Sequence, residues 1–327
     1  MTTAPALTIV VCTYKNFQTV ARLMDHLNTQ EGRELCELII VCPSESTLKL
    51  DASKCAGFAS YRILEYGPID RRGPALAAAL RIAAAPAVAF TEDHSFPEPG
   101  WAMALIEAHR GPWAAVCATL INANPDSPMS WSDLLIGHGT IVAPSISGER
   151  PRLGGHNVSY KKDIMIEQFG DLLDDVLLDT EPIHQEILIQ RGFRLFLSSE
   201  AKVRHTNFET FRGWIPSQYY HGRMYGAVRW RLWTPRQRIK FLLGTPLSPL
   251  MRIIRMIRQG RTPGSEYRRV PGMLHYVLIG IGTNLAGEIM GCFFGVGKSA
   301  STLTPYEFER YKFYDKKYHR GNTDYDN

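Results

Sequence analysis

Short apolar runs alternate with helix-like segments through the first 120 residues of the chain. Runs of this length, bounded by turn-forming residues, are typical of buried strands, and the segments between them place apolar residues at helical spacing. The alternation predicts an α/β fold, with a mostly parallel mixed sheet and helices on both faces. The predicted strands are Leu7–Cys12, Leu38–Cys42, Tyr61–Leu64, Ala87–Phe90 and Ala114–Leu120, and the predicted helices are Phe17–Leu27, Pro74–Ala84 and Trp101–His109.

Two common nucleotide-binding motifs do not occur in this alternation. No GxGxxG follows the first predicted strand, and no GxxxxGKS/T occurs anywhere in the sequence. The sequence therefore disfavours both a Rossmann dinucleotide-binding domain and a P-loop enzyme.

The pattern changes beyond residue 210. Arginine recurs at every third position in Leu250–Arg258, which predicts a cationic amphipathic helix suited to anionic lipid. The alternative for this helix is docking on the catalytic domain with a solvated basic face. Residues 273–297 are largely apolar and long enough to span a bilayer, but Glu288 near their centre would be costly there. We therefore favour helices at the membrane interface, or a packed helical hairpin, over a spanning segment.

Charge is distributed unevenly along the chain, whose formal net charge is +5. Residues 1–200 carry 16 Lys/Arg and 24 Asp/Glu, residues 201–270 carry 15 and 2, and residues 271–327 carry 6 of each. The resulting charges of −8, +13 and 0 indicate an acidic catalytic domain followed by a region that meets an anionic surface. A membrane surface is favoured over nucleic acid because no RNA- or DNA-binding motif accompanies the basic residues. The six cysteines include no CxxC pair and the N-terminus has no basic leader, which predicts a cytoplasmic protein.

Two carboxylates and an imidazole directly follow the fourth predicted strand. Glu92, Asp93 and His94 come after Ala87–Phe90 and precede a loop broken by proline and glycine. Open α/β sheets bind ligands at the carboxyl ends of their strands, and carboxylate oxygens beside an imidazole suit a divalent cation that holds a diphosphate. The alternative interpretation is a strand end with solvated charges.

Four segments along the chain carry a family resemblance. The first strand ends in the turn Cys12–Asn16, and the triplet Glu92–His94 follows the fourth. Gly154–Asn157 and the acidic segment that begins at Asp179 come later. In this order and at these separations, over about residues 6–210, they resemble the motifs of family 2 glycosyltransferases, which have the GT-A fold.

The resemblance implies a site for a nucleotide-diphosphate sugar. Thr13 and Tyr14 match the positions that line the nucleotide base pocket in this family. Glu45 stands in the loop where the family often carries an aspartate toward the base. Arg72 is a candidate for assisting the diphosphate, and the alternative for it and the preceding arginine is a solvated surface pair.

A divalent cation, Mn²⁺ or Mg²⁺, is the implied cofactor. Glu92 takes the first acidic position of the family's Asp-x-Asp motif, associated with the ribose and the metal, and His94 takes the last position, the usual metal ligand. The triplet is unusual, because imidazole suits Mn²⁺ better than Mg²⁺. Asp93 is the alternative direct ligand, and His205, at the end of a later strand, is a further candidate for the metal or a phosphate.

The two later segments imply an acceptor site and a general base. Gly155, His156 and Asn157 match a family segment near the acceptor and sugar, for which the alternative is a plain turn into a strand. Glu181, followed by a proline suited to a first helical turn, falls on the position of the family's catalytic base. Asp179 is the alternative base, and a purely capping role is the alternative for Glu181.

These interpretations combine into one prediction. Residues 1–212 form a GT-A catalytic domain, and residues 213–327 form a basic and apolar helical region with a polar tail. The predicted activity is inverting, metal-assisted transfer of a sugar from a nucleotide-diphosphate donor to a hydroxyl of a glycan or lipid-linked acceptor. The predicted location is the cytoplasmic face of an anionic membrane. The alternatives are a catalytically degenerate GT-A-like membrane adaptor and a nucleotidyltransferase.

Overall fold

The computed structural model describes residues 4–176, 183–265 and 272–318, and the chain divides into two compact units. The first unit comprises Met1–Ile121 and Ser145–His205, and the second comprises Asn122–Pro144 and Thr206–Asn327. The longer segment of the second unit begins at Thr206, close to the domain boundary that the sequence predicts after residue 212. An earlier excursion also contributes residues 122–144 to the second unit.

A single mixed sheet contains nine strands. They are β1 (Leu7–Cys12), β2 (Cys36–Cys42), β3 (Ser60–Glu65), β4 (Ala87–Phe90), β5 (Ser95–Pro97), β6 (Trp113–Asn122), β7 (Gly148–Glu149), β8 (Val158–Lys161) and β9 (Arg194–His205). Their order in the sheet is β3-β2-β1-β4-β8-β6-β9-β5, with β7 pairing beside β9. The first four are parallel, whereas β8 is antiparallel to β4 and β6, and β9 is antiparallel to β5 and β7.

The helices connect these strands in the first unit and form most of the second. In chain order they are α1 (Ala21–Asn28), α2 (Glu45–Leu48), α3 (Arg72–Ile82), α4 (Trp101–His109), α5 (Pro128–His138), α6 (Lys162–Phe169), α7 (Leu173–Val176), α8 (Ile183–Gln190), α9 (Phe211–Leu232), α10 (Pro235–Gly244), α11 (Ser248–Gly260), α12 (Met273–Phe294) and α13 (Ser299–Phe308). Helices α5 and α9 to α13 belong to the second unit.

The core of the first unit is the parallel half of the sheet. Every residue of β1, β2 and β4 is buried, which explains why these strands are uninterrupted apolar runs instead of alternating ones. Helix α3 covers this region with a largely alanine face, and alanine lets the helix backbone approach the strands closely. The predicted helix Phe17–Leu27 begins with a 3-10 turn and continues as α1.

The order of the strands places a topological switch point at the carboxyl edge between β1 and β4. Strand β1 pairs with β2 on one side and with β4 on the other, so the chain connections leave it in opposite directions. Such a switch point is where open α/β sheets bind ligands. The residues that follow the two strands are fixed there by hydrogen bonds, because Thr91 Oγ1 donates to Val10 O at 2.8 Å and Thr13 N donates to Val41 O at 2.9 Å.

The second unit is built around the pair of helices α9 and α12. Two glycines on each helix, Gly222 and Gly226 on α9 and Gly287 and Gly291 on α12, lie against the backbone of the other helix. A Cβ atom at any of them would overlap a carbonyl oxygen across the interface. The glycines therefore let the two helix backbones touch, as small residues do in closely packed helix pairs.

One charged residue of α12 is buried and paired. Glu288 accepts a hydrogen bond from Arg252 of α11 at 2.5 Å, and the same guanidinium donates to Asn284 Oδ1 at 2.8 Å. Among the described residues, α12 is the one helix long and apolar enough to cross a membrane, judged by length and composition only.

Candidate functional site

Strand pairing brings the predicted metal ligands together. Glu92 follows β4 by two residues, and His205 ends β9. Strand β5 pairs antiparallel with β9 in a register that sets Ser95 opposite His205, so His94 is carried to the same place. The three side chains therefore meet at the carboxyl edge of β4, although their positions span more than a hundred residues of sequence.

The Glu92 carboxylate lies at the centre of the site. Its Oε1 atom lies 2.5 Å from His156 Nδ1 and 3.0 Å from Arg72 Nη1. Its Oε2 atom accepts a hydrogen bond from Ser95 Oγ at 3.1 Å and lies 3.4 Å from Asn157 Nδ2. The same Oε2 is 3.6 Å from His205 Nε2 and 3.7 Å from the other imidazole, that of His94.

The surroundings keep this carboxylate ionised. Burial would raise the pKa of Glu92, but the imidazoles of His156 and His94 and hydrogen bonds from His156 and His205 hold it well below its usual range. Only 6% of the Glu92 side chain is exposed, so water screens these interactions little. The site thus contains a buried anion with a guanidinium and three imidazoles around it.

Three of the side chains fit a divalent metal. One donor atom from each of Glu92, His94 and His205 lies within 4.8 Å of the other two. Two imidazoles and one carboxylate are a donor set suited to transition-metal ions. His94 Nδ1 lies 2.7 Å from Asp93 Oδ1, and an N–H donated to that carboxylate would leave Nε2 as the ligand atom. In this arrangement Asp93 orients an imidazole and is not itself one of the converging donors.

The cysteine that ends β1, Cys12, is not among the converging donor atoms of the candidate metal site. Burial raises the pKa of the Cys12 thiol to about 12, against the lowering influence of Arg72. The thiol is therefore protonated at neutral pH.

The predicted base-pocket residues lie on neighbouring strand ends. Thr13 is fully buried, and its hydroxyl donates to Asn16 O at 2.8 Å, so its side chain shapes the turn after β1. Tyr14 follows it and is half-buried. Glu45 begins α2 with an exposed side chain, and its backbone N–H donates to Glu65 Oε2 at 2.8 Å. Glu65, the last residue of β3, is not among the predicted site residues, and its sequence signal is a carboxylate directly after the predicted strand Tyr61–Leu64.

The predicted acceptor loop reaches the same carboxylate. His156 contacts Glu92 directly, and Asn157 Nδ2 donates to Ser95 Oγ at 3.2 Å. Asn157 adopts the left-handed backbone region with φ of 58°, which turns the chain sharply into β8. Gly155 stands just before these two residues and is half-buried.

A buried polar cluster anchors the acceptor loop to the start of α8. Gln185 accepts from Leu153 N at 3.0 Å and donates to Gly154 O at 2.8 Å. Tyr160 Oη lies 2.6 Å from His184 Nε2. No local sequence pattern predicts this cluster, because its members are up to 32 residues apart. The two candidate bases, Asp179 and Glu181, precede α8 and lie outside the described residues.

Comparison with known proteins identifies the class of fold. The chain resembles the solved structure of the mannosyltransferase PcManGT from Pyrobaculum calidifontis, in complex with GDP-Man and Mn²⁺, with a TM-score of 0.56 and 14% identity over 89% of this chain and 88% of that one. The predicted GT-A-type glycosyltransferase fold is thereby confirmed.

Other comparisons give weaker likenesses. The S. aureus protein TarS (residues 1–349) with UDP matches at a TM-score of 0.43 and 13% identity, covering 87% of this chain and 90% of that chain. The same protein with UDP-GlcNAc matches at 0.45 and 12% identity, covering 92% and 91%. No protein-family model matches the sequence, and no curated protein matches it.

Proposed function

We propose that this chain is a glycosyltransferase that takes a sugar from a nucleotide-diphosphate donor. The observation that carries the proposal is the meeting of Glu92, His94 and His205 at the switch point of a GT-A-type sheet. Arg72 beside the carboxylate supplies a cation where a diphosphate would lie. The donors bound by the structurally similar proteins support a nucleotide sugar as the substrate class.

A divalent metal is part of the proposal. Glu92, His94 and His205 would hold it, and Asp93 would fix the orientation of His94. The bound ion would neutralise the charge that develops on the departing diphosphate. The Mn²⁺ in the similar mannosyltransferase supports a divalent cation, and the two imidazoles favour Mn²⁺ over Mg²⁺.

Side chains of the protein would activate the acceptor hydroxyl and orient the sugar. We assign the general base to Glu181, with Asp179 as the second candidate, and the base would remove the proton of the attacking acceptor hydroxyl. A single displacement at the anomeric carbon inverts its configuration. His156 and Asn157 would orient the reacting sugar beside Glu92. The acceptor is a glycan or lipid-linked hydroxyl, reached from the cytoplasmic face of a membrane.

Ligand-induced stabilisation tests the donor and the metal together. The melting temperature of the full chain is measured with UDP, GDP, dTDP and CDP, each with Mn²⁺, with Mg²⁺ and without metal. We expect a metal-dependent rise with one nucleotide, because a ligand bound only to the folded state stabilises it. Glu92→Gln should abolish that rise, whereas the control Glu107→Gln, an exposed carboxylate on α4, should preserve it.

This panel and an assay for pyrophosphate release separate the alternatives. A catalytically degenerate adaptor would show no shift with any nucleotide, and a nucleotidyltransferase would release pyrophosphate from a nucleoside triphosphate. The base assignment has its own test, since Glu181→Gln should keep the thermal shift and lose sugar transfer. Near wild-type turnover by Glu181→Gln would move the assignment to Asp179.

A further inference from the structure

Helix α12 buries its one charged residue and exposes a largely apolar face. Its exposed positions run along one side of the helix from end to end, at spacings typical of a single face. Glu288, its one charged residue, is buried against α11. The exposed positions are Leu274, His275, Leu278 and Ile279 (60%, 51% and 41% exposed for the three aliphatic side chains), then Gly282 and Ala286, and finally Phe293 and Phe294 (57% and 69%), so His275 is the one polar side chain among them.

This arrangement of apolar and charged residues is the opposite of that in a typical surface helix of a water-soluble protein. Such a helix turns its apolar stripe to the core and its charged residues to water. The outward stripe of α12 contains no Asp, Glu, Lys or Arg over a helix of 22 residues, about 33 Å in length. An apolar stripe of that length marks a surface that is covered in use.

The charge of the neighbouring helices indicates what covers the outward stripe of α12. Residues 211–261 carry eleven Lys/Arg and no Asp or Glu. Arg236 and Lys240 on α10 and Arg258 on α11 are exposed. These two helices also expose large apolar side chains, among them Leu243 (75%) and Met251 (63%). Apolar side chains beside an excess of cations complement an anionic lipid surface, and each cation near such a surface adds about 1 kcal/mol of attraction.

The packing of α12 disfavours a membrane-spanning orientation. Helix α9 runs against it through the four interface glycines, so a spanning α12 would carry α9 into the hydrocarbon. Helix α9, which runs over Phe211–Leu232, contains Arg223 in its interior, and arginine at that depth is unfavourable. A helix lying in the plane of the membrane avoids this cost.

We propose that the outward stripe of α12 lies within one leaflet of an anionic bilayer, parallel to its surface, while the basic residues of α10 and α11 contact the headgroups. The inference rests on the membrane association included in the proposed function and specifies its surface and its orientation. It does not depend on the transfer reaction.

Vesicle binding tests the surface. The full chain is sedimented with phosphatidylcholine vesicles and with a roughly 7:3 mixture of phosphatidylcholine and phosphatidylglycerol, at low and high salt. We expect binding to the anionic vesicles that weakens with salt. The triple variant Leu274→Ser, Leu278→Ser, Phe294→Ser should lower the partition constant at least about tenfold with an unchanged melting temperature. Ile146→Ser, which changes an isoleucine of the first unit that is 80% exposed, is the matched control and should bind like the parent.

Cysteine labelling tests the orientation. Thr262→Cys and Lys298→Cys place exposed thiols before and after α12 in the chain, away from its outward stripe, whereas the six native cysteines are buried. With protein added to preformed anionic vesicles, an impermeant maleimide should label both positions from outside. Labelling of only one end until detergent is added would show a spanning helix and overturn the proposed orientation.

The remaining outcomes are also decisive. Binding to neither kind of vesicle would refute membrane association as well, while leaving the nucleotide test of sugar transfer unaffected. A second copy of the chain could cover the stripe instead. Concentration-dependent dimers that the triple serine variant abolishes, with unchanged vesicle binding, would assign the stripe to self-association and refute the lipid proposal.

Discussion

The glycine contacts between α9 and α12 allow a sharp test within a single helix. Gly287 and Gly282 both lie in the interior of α12, yet their surroundings differ completely. A Cβ at Gly287 would overlap the carbonyl oxygen of Tyr219 on α9, whereas a Cβ at Gly282 would meet nothing within 4 Å. Replacing each by alanine therefore changes the same helix by one methyl group in opposite environments.

The expected effects have opposite signs. Alanine in a helix interior is favoured over glycine by about 1 kcal/mol, so Gly282→Ala should raise the free energy of unfolding by up to that amount. At Gly287 the obstacle is backbone, which no side-chain rotation can relieve, so the helices must separate. Overpacking of this kind costs about 1–3 kcal/mol, and the upper end applies because separation also loosens the other three glycine contacts. After the gain in helix propensity, Gly287→Ala should lose about 2 kcal/mol.

Urea denaturation of the full chain measures both variants. Far-ultraviolet circular dichroism and tryptophan fluorescence follow the transition, and four of the six tryptophans, including Trp214, belong to the second unit. Adding Gly222→Ala to Gly287→Ala should cost less than the sum of the single changes, because helices already separated have room for a second methyl group. Similar stabilities for Gly282→Ala and Gly287→Ala would refute backbone contact between the helices.

Three further predictions concern buried polar groups. Arg252→Met leaves the Glu288 carboxylate without its guanidinium and should lower the free energy of unfolding, measured by denaturation, by about 2–3 kcal/mol. The control Arg258→Met on the same helix should change the free energy of unfolding by less than about 0.5 kcal/mol. Burial lowers the pKa of His109 to about 4, so the folded state binds fewer protons than the unfolded state between that pH and the unfolded pKa of about 6.5. The free energy of unfolding should therefore fall by up to about 3 kcal/mol as the pH drops through this window. A flat pH profile of stability, or a profile that is unchanged in His109→Gln, would contradict this role of His109. Tyr160→Phe removes the hydroxyl that contacts His184 and Gln185 and should cost about 1–2 kcal/mol by denaturation, whereas Tyr61→Phe, at an exposed position, should be neutral.

Strands β1, β2 and β4 of the parallel half of the sheet were predictable because every one of their residues is buried. Strands β1 and β4 and helix α4 have the bounds that the sequence predicts, since buried strands are continuous apolar runs that turn residues interrupt cleanly. Of strand β9, the sequence predicts only the end at His205. It runs over Arg194–His205 with polar residues at many positions, and its exposed side chains hide the apolar pattern.

The candidate site was predictable in its centre and not in its surroundings. Glu92 and His94 follow a strand that the sequence identifies, and His205 ends another, so strand ends alone bring them to one edge. The contacts of Glu92 with Arg72 and His156 depend on which strands and helices are neighbours. That order is a property of the whole sheet, so no local pattern contains it.

Helix α12 shows why average hydropathy is a poor guide to the role of a segment. Counted as composition, Asn284 and Glu288 only reduce the suitability of the segment for a bilayer. Their spacing of four residues places them on one face of a helix, and Gly287 and Gly291 accompany them. That face is the one that packs, because glycine permits close approach to α9 and Arg252 neutralises Glu288. The opposite face contains no Asp, Glu, Lys or Arg, and His275 is its one polar side chain, so the polar positions that argue against a spanning helix are the same ones that turn a largely apolar surface outward.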